Sequence, residues 1–563
     1  MNAQDEISLE AERAALARAH TAAAATLERL GRIEAKGSSG DAITDEYVAA
    51  VLRGAVRKLQ QDLVVFGRID DEHAWRVGLY GIDEGGDRLV IDWRAPFAAR
   101  FYQASLADPL GLARRVSYVG HIDDLLIEDF ATGFVSGTSP LLAELSRDRG
   151  STMRAAVSTL QSEQDSLVRL DPQAKLVLRG GPGTGKTVVG LHRAAWLVYN
   201  DQRLTADRIL VLGPSDRFLR YVATVLPTLG EARIMQTTFE RLLGVSSAAG
   251  NDERWLDVLD RLEEKLLTVQ PVNIGVITFP EAEIRELVDR LNALSLPWRD
   301  RRKVFVDSLV QRFQARRRTI KRPEVVTVAN SVWPSITAKQ AWSKLRNRAS
   351  LEELGAPEDL IDAWLATPRQ DGGLFDEVRA RFEGVPARYG HAIVDEAQDL
   401  SFFQLRAVMR RAEGLTLVGD DAQRSNPVGL GLGRASRELE TDIVTMNTAY
   451  RMSAEIADWL NGHAKESGME AVELLGIRPT GREVREVDAP NRDRADTVQR
   501  LVADFSERWG TVAVIAKADV WDHKGVEYDA VVVDTDELSR EEIYLAASRA
   551  AHELAVVRRH PVG

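Results

Sequence analysis

The residues Gly180-Gly181-Pro182-Gly183-Thr184-Gly185-Lys186-Thr187 constrain this chain more than any other stretch. They follow the apolar run Leu176-Val177-Leu178, which reads as a short buried strand. They precede Val188 to Tyr199, where Val189, Leu191, Ala195 and Leu197 mark a helix. A strand, a glycine loop and a helix in that order make a phosphate-binding loop, because glycines let backbone N–H groups converge on an anion and the helix N-terminus adds its positive end. Gly180, Gly181, Pro182, Gly183, Thr184, Gly185, Lys186, Thr187 and Val188 are therefore assigned to nucleotide binding. Lys186 reaches the β- and γ-phosphates and is counted as catalytic, and the Thr187 hydroxyl ligates Mg²⁺.

A chain of 563 residues is too long for one core, so about two to four domains are expected. With 73 basic against 85 acidic residues the formal charge is −12, which argues against a surface wholly given to nucleic acid but leaves room for a local basic groove. Cysteine is absent, which excludes disulfides and thiolate metal sites, and the nine histidines form no zinc-like spacing. Met1 to Glu10 is acidic, and no apolar run has bilayer length. The expectation is a soluble, cytoplasmic protein with no membrane contact.

Glu6 to Lys36 is alanine-rich and carries Leu9, Leu16, Ala23 and Leu30 at seven-residue spacing, a stripe that wants a partner. After Gly37-Ser38-Ser39-Gly40 a second helical run places Val48, Leu52, Leu59 and Phe66 on one face. Residues 1–68 are expected to form an antiparallel helical hairpin, either projecting as a coiled coil or packed on the main body. From 69 to 135 short β-rich runs at Trp75–Tyr80, Arg88–Trp93 and Val116–His121 predict a small β-rich region. Alternating strands and helices then predict a parallel-sheet α/β domain over 136–243 and 391–440, interrupted by a mainly helical insertion at 244–390. Residues 441–563 are assigned to a second such domain.

Within the insertion, Arg299 to Arg322 holds ten Arg or Lys against Asp300 and Asp307. That excess reads equally as a phosphate-facing surface for DNA or RNA and as a solvated helix face. Trp298, Trp333, Trp342 and Trp364 read as core residues or as stacking platforms. Farther on, the apolar run Ala392-Ile393-Val394 delivers Asp395 and Glu396 to a strand end. Adjacent carboxylates there suit metal-assisted phosphoryl transfer, with Asp395 holding Mg²⁺ and Glu396 positioning water. A further strand, Leu415 to Gly419, ends near Gln423, whose amide can sense the γ-phosphate. Gln164 lies on a helix predicted over Met153–Leu170 and offers an amide to an adenine edge.

The ordered set Gln164, Gly180 to Thr187, Asp395 to Asp399, Gly419 to Gln423, Tyr450-Arg451, Lys524 to Asp529 and Ala547 to Ala550 resembles superfamily 1 helicases of the UvrD type. The resemblance implies two RecA-like domains with ATP and Mg²⁺ between them. It makes Arg451 and Arg549 catalytic cations from the second domain, and places Tyr450 and Glu527 against the nucleotide. The runs Gly67-Arg68-Ile69, Val90 to Pro96, Phe101-Tyr102, Leu191 to Ala195 and Val225 to Glu231 are similar to HelD, the RNA polymerase-associated branch. That narrower resemblance implies a bacterial ATPase that binds core RNA polymerase and frees it from nucleic acids, with the leading hairpin entering the polymerase secondary channel; monomeric action is expected from the residues themselves, since no second self-complementary seam is evident. A UvrD-type 3′ to 5′ helicase on single-stranded DNA and a polymerase-binding protein with ATP as a switch stand as the alternatives.

Overall fold

The computed structural model describes residues 9–34, 65–118, 125–137, 160–229, 231, 233–367 and 371–559. Helix α1 (Leu9–Glu34) has 26 residues, about 39 Å at the ordinary helical rise. Its residues Leu16, Ala19, Ala22 and Ala23 are buried against Val65, Ile82, Val90, Val116 and Tyr118 of a sheet. The seven-residue stripe is thus a real seam, but its partner among the described residues is a sheet, which small alanines let the helix backbone approach closely. The side chains of Leu9 and Leu30, and the expected second helix up to residue 64, lie outside the described residues. Phe66, expected on that helix, belongs instead to strand β1 (Val65–Asp70).

One buried carboxylate ties α1 to the sheet, and Arg18 adds ion pairs to Glu84 and Asp87 at its surface. The buried Glu12 carboxylate accepts from Arg68 at 2.9 Å, from Arg76 at 2.9 Å and from the Tyr118 hydroxyl. Burial works against its charge, but Tyr118, Arg76 and Arg68 hold its carboxyl below the ordinary range.

With β1, strands β2 (Ala74–Gly78), β3 (Ile82–Glu84), β4 (Asp87–Asp92), β5 (Arg114–Tyr118), β6 (Leu125–Asp129) and β7 (Phe134–Ser136) form a sheet of order β3-β4-β2-β1-β5-β6-β7. It is antiparallel except where β2 meets β4. Helix α2 (Ala99–Gln103) lies so close to β1 that a Cβ on Gly67 would stand 2.1 Å from the Phe101 ring.

Helix α3 (Ser162–Val168) is shorter than the helix predicted over Met153–Leu170, whose residues 153–159 fall outside the described ones. Gln161 is its N-cap, sharing a reciprocal capping pair with Gln164. Then come β8 (Lys175–Gly180), helix α4 (Lys186–Asn200), β9 (Ile209–Gly213), helix α5 (Asp216–Val225) and β10 (Met235–Thr238). The insertion follows, mainly helical, with one hairpin of β11 (Val272–Ile274) and β12 (Ile277–Phe279). Trp298, Trp333 and Trp364 are fully buried in its core and Trp342 packs against it, so these rings are core rather than stacking platforms.

The basic stretch lies mostly on helix α6 (Trp298–Arg316), and much of its charge is spent internally. Arg301 pairs with Glu263, Arg312 with Glu283 and Arg322 with Asp307, while Arg302 and Arg316 donate to the Trp333 and Thr278 carbonyls. Two buried carboxylates, Asp376 and Glu377 on helix α7 (Gly372–Phe382), tie the insertion to the main core. They accept from Arg406 on helix α8 (Phe402–Met409) and from Arg410 and Arg411 just beyond it.

Strands β13 (Tyr389–Val394), β14 (Ala412–Gly419) and β15 (Ile443–Met446) complete a parallel sheet of order β10-β9-β13-β14-β8-β15. Val444, expected in the second domain's sheet, pairs with Leu178 here. After the short parallel pair β16 (Thr448–Ala449) and β17 (Leu475–Gly476), strands β18 (Arg485–Ala489), β19 (Val512–Ile515), β20 (Tyr528–Asp534) and β21 (Ala550–Arg559) form the second parallel sheet, order β18-β21-β20-β19. The architecture is α/β, two RecA-like sheets with a helical insertion in the first. No described helix is long and apolar enough to cross a membrane.

Candidate functional site

The phosphate-binding loop leaves β8 at Gly180 and enters α4 through Gly185, with Gly183 and Gly185 at φ 73° and 81°. These left-handed values are open to glycine and costly for other residues. Close packing adds a second constraint: a Cβ on Gly185 would stand 2.7 Å from the Gln164 amide nitrogen, and one on Gly181 would stand 2.4 Å from Leu474 of the second domain. Inside the loop the Thr184 hydroxyl donates to the Gly181 carbonyl at 2.8 Å, and the Lys186 ammonium rests 3.4 Å from the same oxygen. Pro182 sits in the loop's first turn and Val188 in the first turn of α4.

Thr187 and Asp395 come together although 208 positions separate them: the hydroxyl donates to the carboxylate at 2.8 Å. Burial, and then the neighbouring Glu396, hold the Asp395 carboxyl above the ordinary carboxylate range. A hydroxyl and a buried carboxylate at the mouth of a phosphate loop fit Mg²⁺, which takes few protein oxygens and completes its shell with phosphate and water. Among the described residues no group of three or more His, Cys, Asp or Glu is placed to hold a metal ion by itself.

Glu396 occupies the left-handed region, φ 54° and ψ 40°, a strained setting for a non-glycine residue and one that turns its carboxylate away from the strand. Gln398 then holds it, donating to Oε2 at 2.6 Å. The Gln398 side-chain Oε1 accepts from the Asp420 backbone N–H at 3.0 Å, the Asp420 carboxylate accepts from the Gln423 side-chain amide at 2.7 Å, and Gln423 Oε1 accepts from the Arg549 guanidinium at 2.7 Å. A continuous polar chain therefore runs from Glu396 in the first domain to Arg549 in the second. Burial dominates at both ends of its later part, raising the Asp420 carboxyl and lowering the Arg549 guanidinium. Lys524 reaches the same place from the second domain. Burial opposes its charge, but Glu396 and Asp399 hold its ammonium above the ordinary lysine value.

The remaining expected residues form the rim. Tyr450 donates its backbone N–H to the Gly183 carbonyl at 3.0 Å, and Arg451 forms an ion pair with Glu527, so two residues expected to face nucleotide face each other here. Gln164 is buried and donates to the Thr184 carbonyl at 3.1 Å, while its own carbonyl accepts from the Gln161 backbone at 3.1 Å.

Sequence reading passed over the residues that hold this site in register. Arg193, on α4 and fully buried, forms no ion pair among the described residues. It donates instead to the carbonyls of Val168, Leu170 and Asp171, closing the C-terminal end of the Gln164 helix, and to the Thr416 hydroxyl. That hydroxyl in turn serves the buried His391, whose Nδ1 lies 2.7 Å from the Pro172 carbonyl. Nδ1 donates there and Nε2 accepts, which fixes the neutral ring. Burial, and then Arg193, lower its pKa to about 3.

An unfolded histidine titrates near 6.5, so below that value the unfolded chain binds a proton the native site refuses, and stability falls with falling pH. From pH 6.5 to 5 this one group is expected to cost about 2 kcal/mol. Urea denaturation of the wild type and of His391→Asn at both pH values checks it: the variant should lack that part of the slope.

The same helices meet the N-terminal sheet. Arg169 donates to the Trp93 carbonyl at 2.9 Å and to Asp165, which also accepts from Gln103 on α2. Asn200, the last residue of α4, donates to the Arg94 carbonyl at 2.9 Å, and buried Arg94 pairs with Asp92 and Glu231.

A phosphate loop after β8 of a parallel sheet, a carboxylate pair after β13 with β14 between the two strands, and an arginine brought in just before β21 of the second sheet define a P-loop NTPase of the helicase-like kind. The family model described as DNA helicase IV HelD, N-terminal domain, matches residues 2–125, and an AAA domain model matches residues 164–429. The chain therefore joins a HelD N-terminal domain to a helicase-type AAA domain. No curated protein matches it.

Among solved structures, the PRRSV helicase is 13% identical over 70% of this chain and 55% of its own, with a TM-score of 0.28. An Arterivirus nonstructural protein 10 (helicase) is 12% identical over 71% and 62%, at 0.27, and the same helicase in complex with DNA is 12% identical over 79% and 73%, at 0.30. The chain thus spans little more than half the length of the first two, and likenesses this remote bear on neither activity nor partner.

Proposed function

We propose that the protein is an ATP-driven motor that binds core RNA polymerase and releases it from nucleic acids. The observation that carries this reading is the union of a HelD N-terminal domain, holding helix α1 by Glu12, with a nucleotide site whose two helices α3 and α4 bond directly to that domain through Arg169 and Asn200. Movement at the nucleotide has a rigid route to the N-terminal arm.

In this account Lys186 binds the β- and γ-phosphates, Thr187 and Asp395 hold Mg²⁺, and Glu396 positions the attacking water. Mg²⁺ supplies charge neutralisation at the transferred phosphoryl group. Gln423 follows the γ-phosphate, Gln164 reads the adenine edge, Tyr450 and Glu527 line base and ribose, and Arg451 and Arg549 supply cations from the second domain. Nucleotide entry has Lys186 leave the Gly181 carbonyl, Gln164 leave the Thr184 carbonyl and Arg451 exchange Glu527 for phosphate. Such exchange of partners across a domain boundary turns binding into motion.

Size-exclusion chromatography with core RNA polymerase, alongside ATP hydrolysis with and without polymerase or single-stranded DNA, tests the partner. Co-elution and hydrolysis that answers to polymerase rather than DNA are expected. Strong DNA stimulation without co-elution points to a UvrD-type helicase instead.

A further inference from the structure

Lys524 follows the short turn Val520–His523 in the second domain. It is followed by Gly525 at φ 76°, where the chain doubles back. The turn carries the lysine side chain across the cleft, where every acceptor it meets belongs to the first domain. Its ammonium lies 2.6 Å from Asp399 Oδ2, 3.0 Å from the Gln423 carbonyl, 3.0 Å from the Ser425 hydroxyl and 3.2 Å from Glu396 Oε2. Only 11% of the side chain is exposed. An ammonium that far from water is stable only among several well-placed acceptors, and Lys524 reaches them only while the two domains touch.

The cradle is built in advance. Asp399 accepts from the backbone N–H groups of Ser425 and Asn426 at 2.7 and 2.9 Å and from the Ser425 hydroxyl at 2.5 Å, which fixes the acceptors before the lysine arrives.

Both bonds to the Glu396 carboxylate fall on one oxygen. Lys524 and Gln398 share Oε2, and among the described residues nothing bonds to Oε1. One oxygen is tethered and the other is left to accept from water.

We propose that Lys524 is a positioning residue: it reaches from the second domain to fix Glu396, so that hydrolysis is efficient only when the two RecA-like domains are in contact. The inference rests on the reading of Glu396 as the carboxylate that orients water. In the step it serves, the water oxygen bonds to the γ-phosphorus while the bond from that phosphorus to the β–γ bridging oxygen breaks. ADP leaves with the bond's electron pair, and the water's proton passes to Glu396 Oε1. When the domains part, Lys524 withdraws, and the Glu396 carboxylate keeps its Gln398 hydrogen bond and the charge of Lys186 but loses the tether from the second domain. Binding through the phosphate loop does not depend on Lys524, so its loss falls on turnover and not on nucleotide affinity.

The test uses full-length wild type, Lys524→Gln, Lys524→Arg, Glu396→Gln and the Glu396→Gln/Lys524→Gln double variant. It reads steady-state ATP hydrolysis together with equilibrium binding of a fluorescent ATP analogue. Lys524→Gln should lower kcat by about 30-fold or more, with analogue affinity within about threefold of wild type. Lys524→Arg keeps the charge and should recover most of that loss. The double variant should be no slower than Glu396→Gln alone, because residues acting as a unit do not add.

The proposal is overturned by a Lys524→Gln kcat within about threefold of wild type, by additive losses in the double variant, or by affinity falling in parallel with turnover. Should Lys524→Gln fail to fold, the arginine variant decides: near wild-type kcat and affinity uphold the role, and a collapse of both contradicts it. Wild type and Glu396→Gln report separately on the underlying reading. If Glu396→Gln hydrolyses like wild type, the assignment of Glu396 is what has failed.

Discussion

Lys186→Ala should lower ATP hydrolysis by about three orders of magnitude or more while the variant still co-elutes with core RNA polymerase. The loop's glycines present backbone N–H groups, but Lys186 is the one cation the loop itself supplies, and at rest it bonds only weakly to the Gly181 carbonyl, 3.4 Å away. Removing it breaks no short ion pair among the described residues, takes from buried Asp395, Glu396 and Asp420 a cation that favours their ionised forms, and costs the transition state a full charge beside the transferred phosphoryl group. Steady-state hydrolysis and size-exclusion chromatography on the same preparation check both halves. A variant that loses polymerase together with hydrolysis would place the two functions on one surface.

Glu396→Gln should lower kcat by about 100- to 10,000-fold with ATP binding retained. The substitution keeps the shape and the tether to Gln398 and removes the basic oxygen. Metal binding through Thr187 and Asp395 is left in place, so the enzyme is expected to accumulate with ATP bound. Equilibrium binding of a fluorescent ATP analogue beside single-turnover hydrolysis separates the two effects. Parallel loss of binding and turnover would mean that Glu396 serves the metal instead of the water.

What could be read from the chain was what lies close along it. The phosphate loop, the carboxylates after β13 and Gln423 after β14 are each announced by an apolar run and a polar end, and the structure carries them to one edge of one sheet. Partners remote in sequence could not be seen. Lys524 meets Asp399 across 125 positions, and Arg193 meets Thr416 across 223. Neither pairing leaves a local pattern.

Periodicity also says that a face is buried without saying against what. Leu16 and Ala23 fit a helix seam and pack on a sheet, and the run at Val444, assigned to the second domain, takes its place instead as β15 beside β8 of the first. The count of charges on Arg299 to Arg322 was sound, but Glu263, Glu283 and two backbone carbonyls, all distant in sequence, claim four of them. The motif runs around Trp93-Arg94, Leu191-His192 and Glu231, scattered along the chain, prove to be one contact region. Arg94 pairs with Glu231, and the Trp93 and His192 rings meet edge to face at 5.3 Å.

The most direct test of the account is release of core RNA polymerase from a stalled transcription complex immobilised through its DNA. The wild-type protein with ATP and Mg²⁺ should move polymerase into the supernatant, and a non-hydrolysable ATP analogue should leave it bound. Equal release with and without hydrolysis would contradict an ATP-driven motor and leave a binding protein switched by nucleotide. No release under any nucleotide condition would contradict the polymerase reading itself.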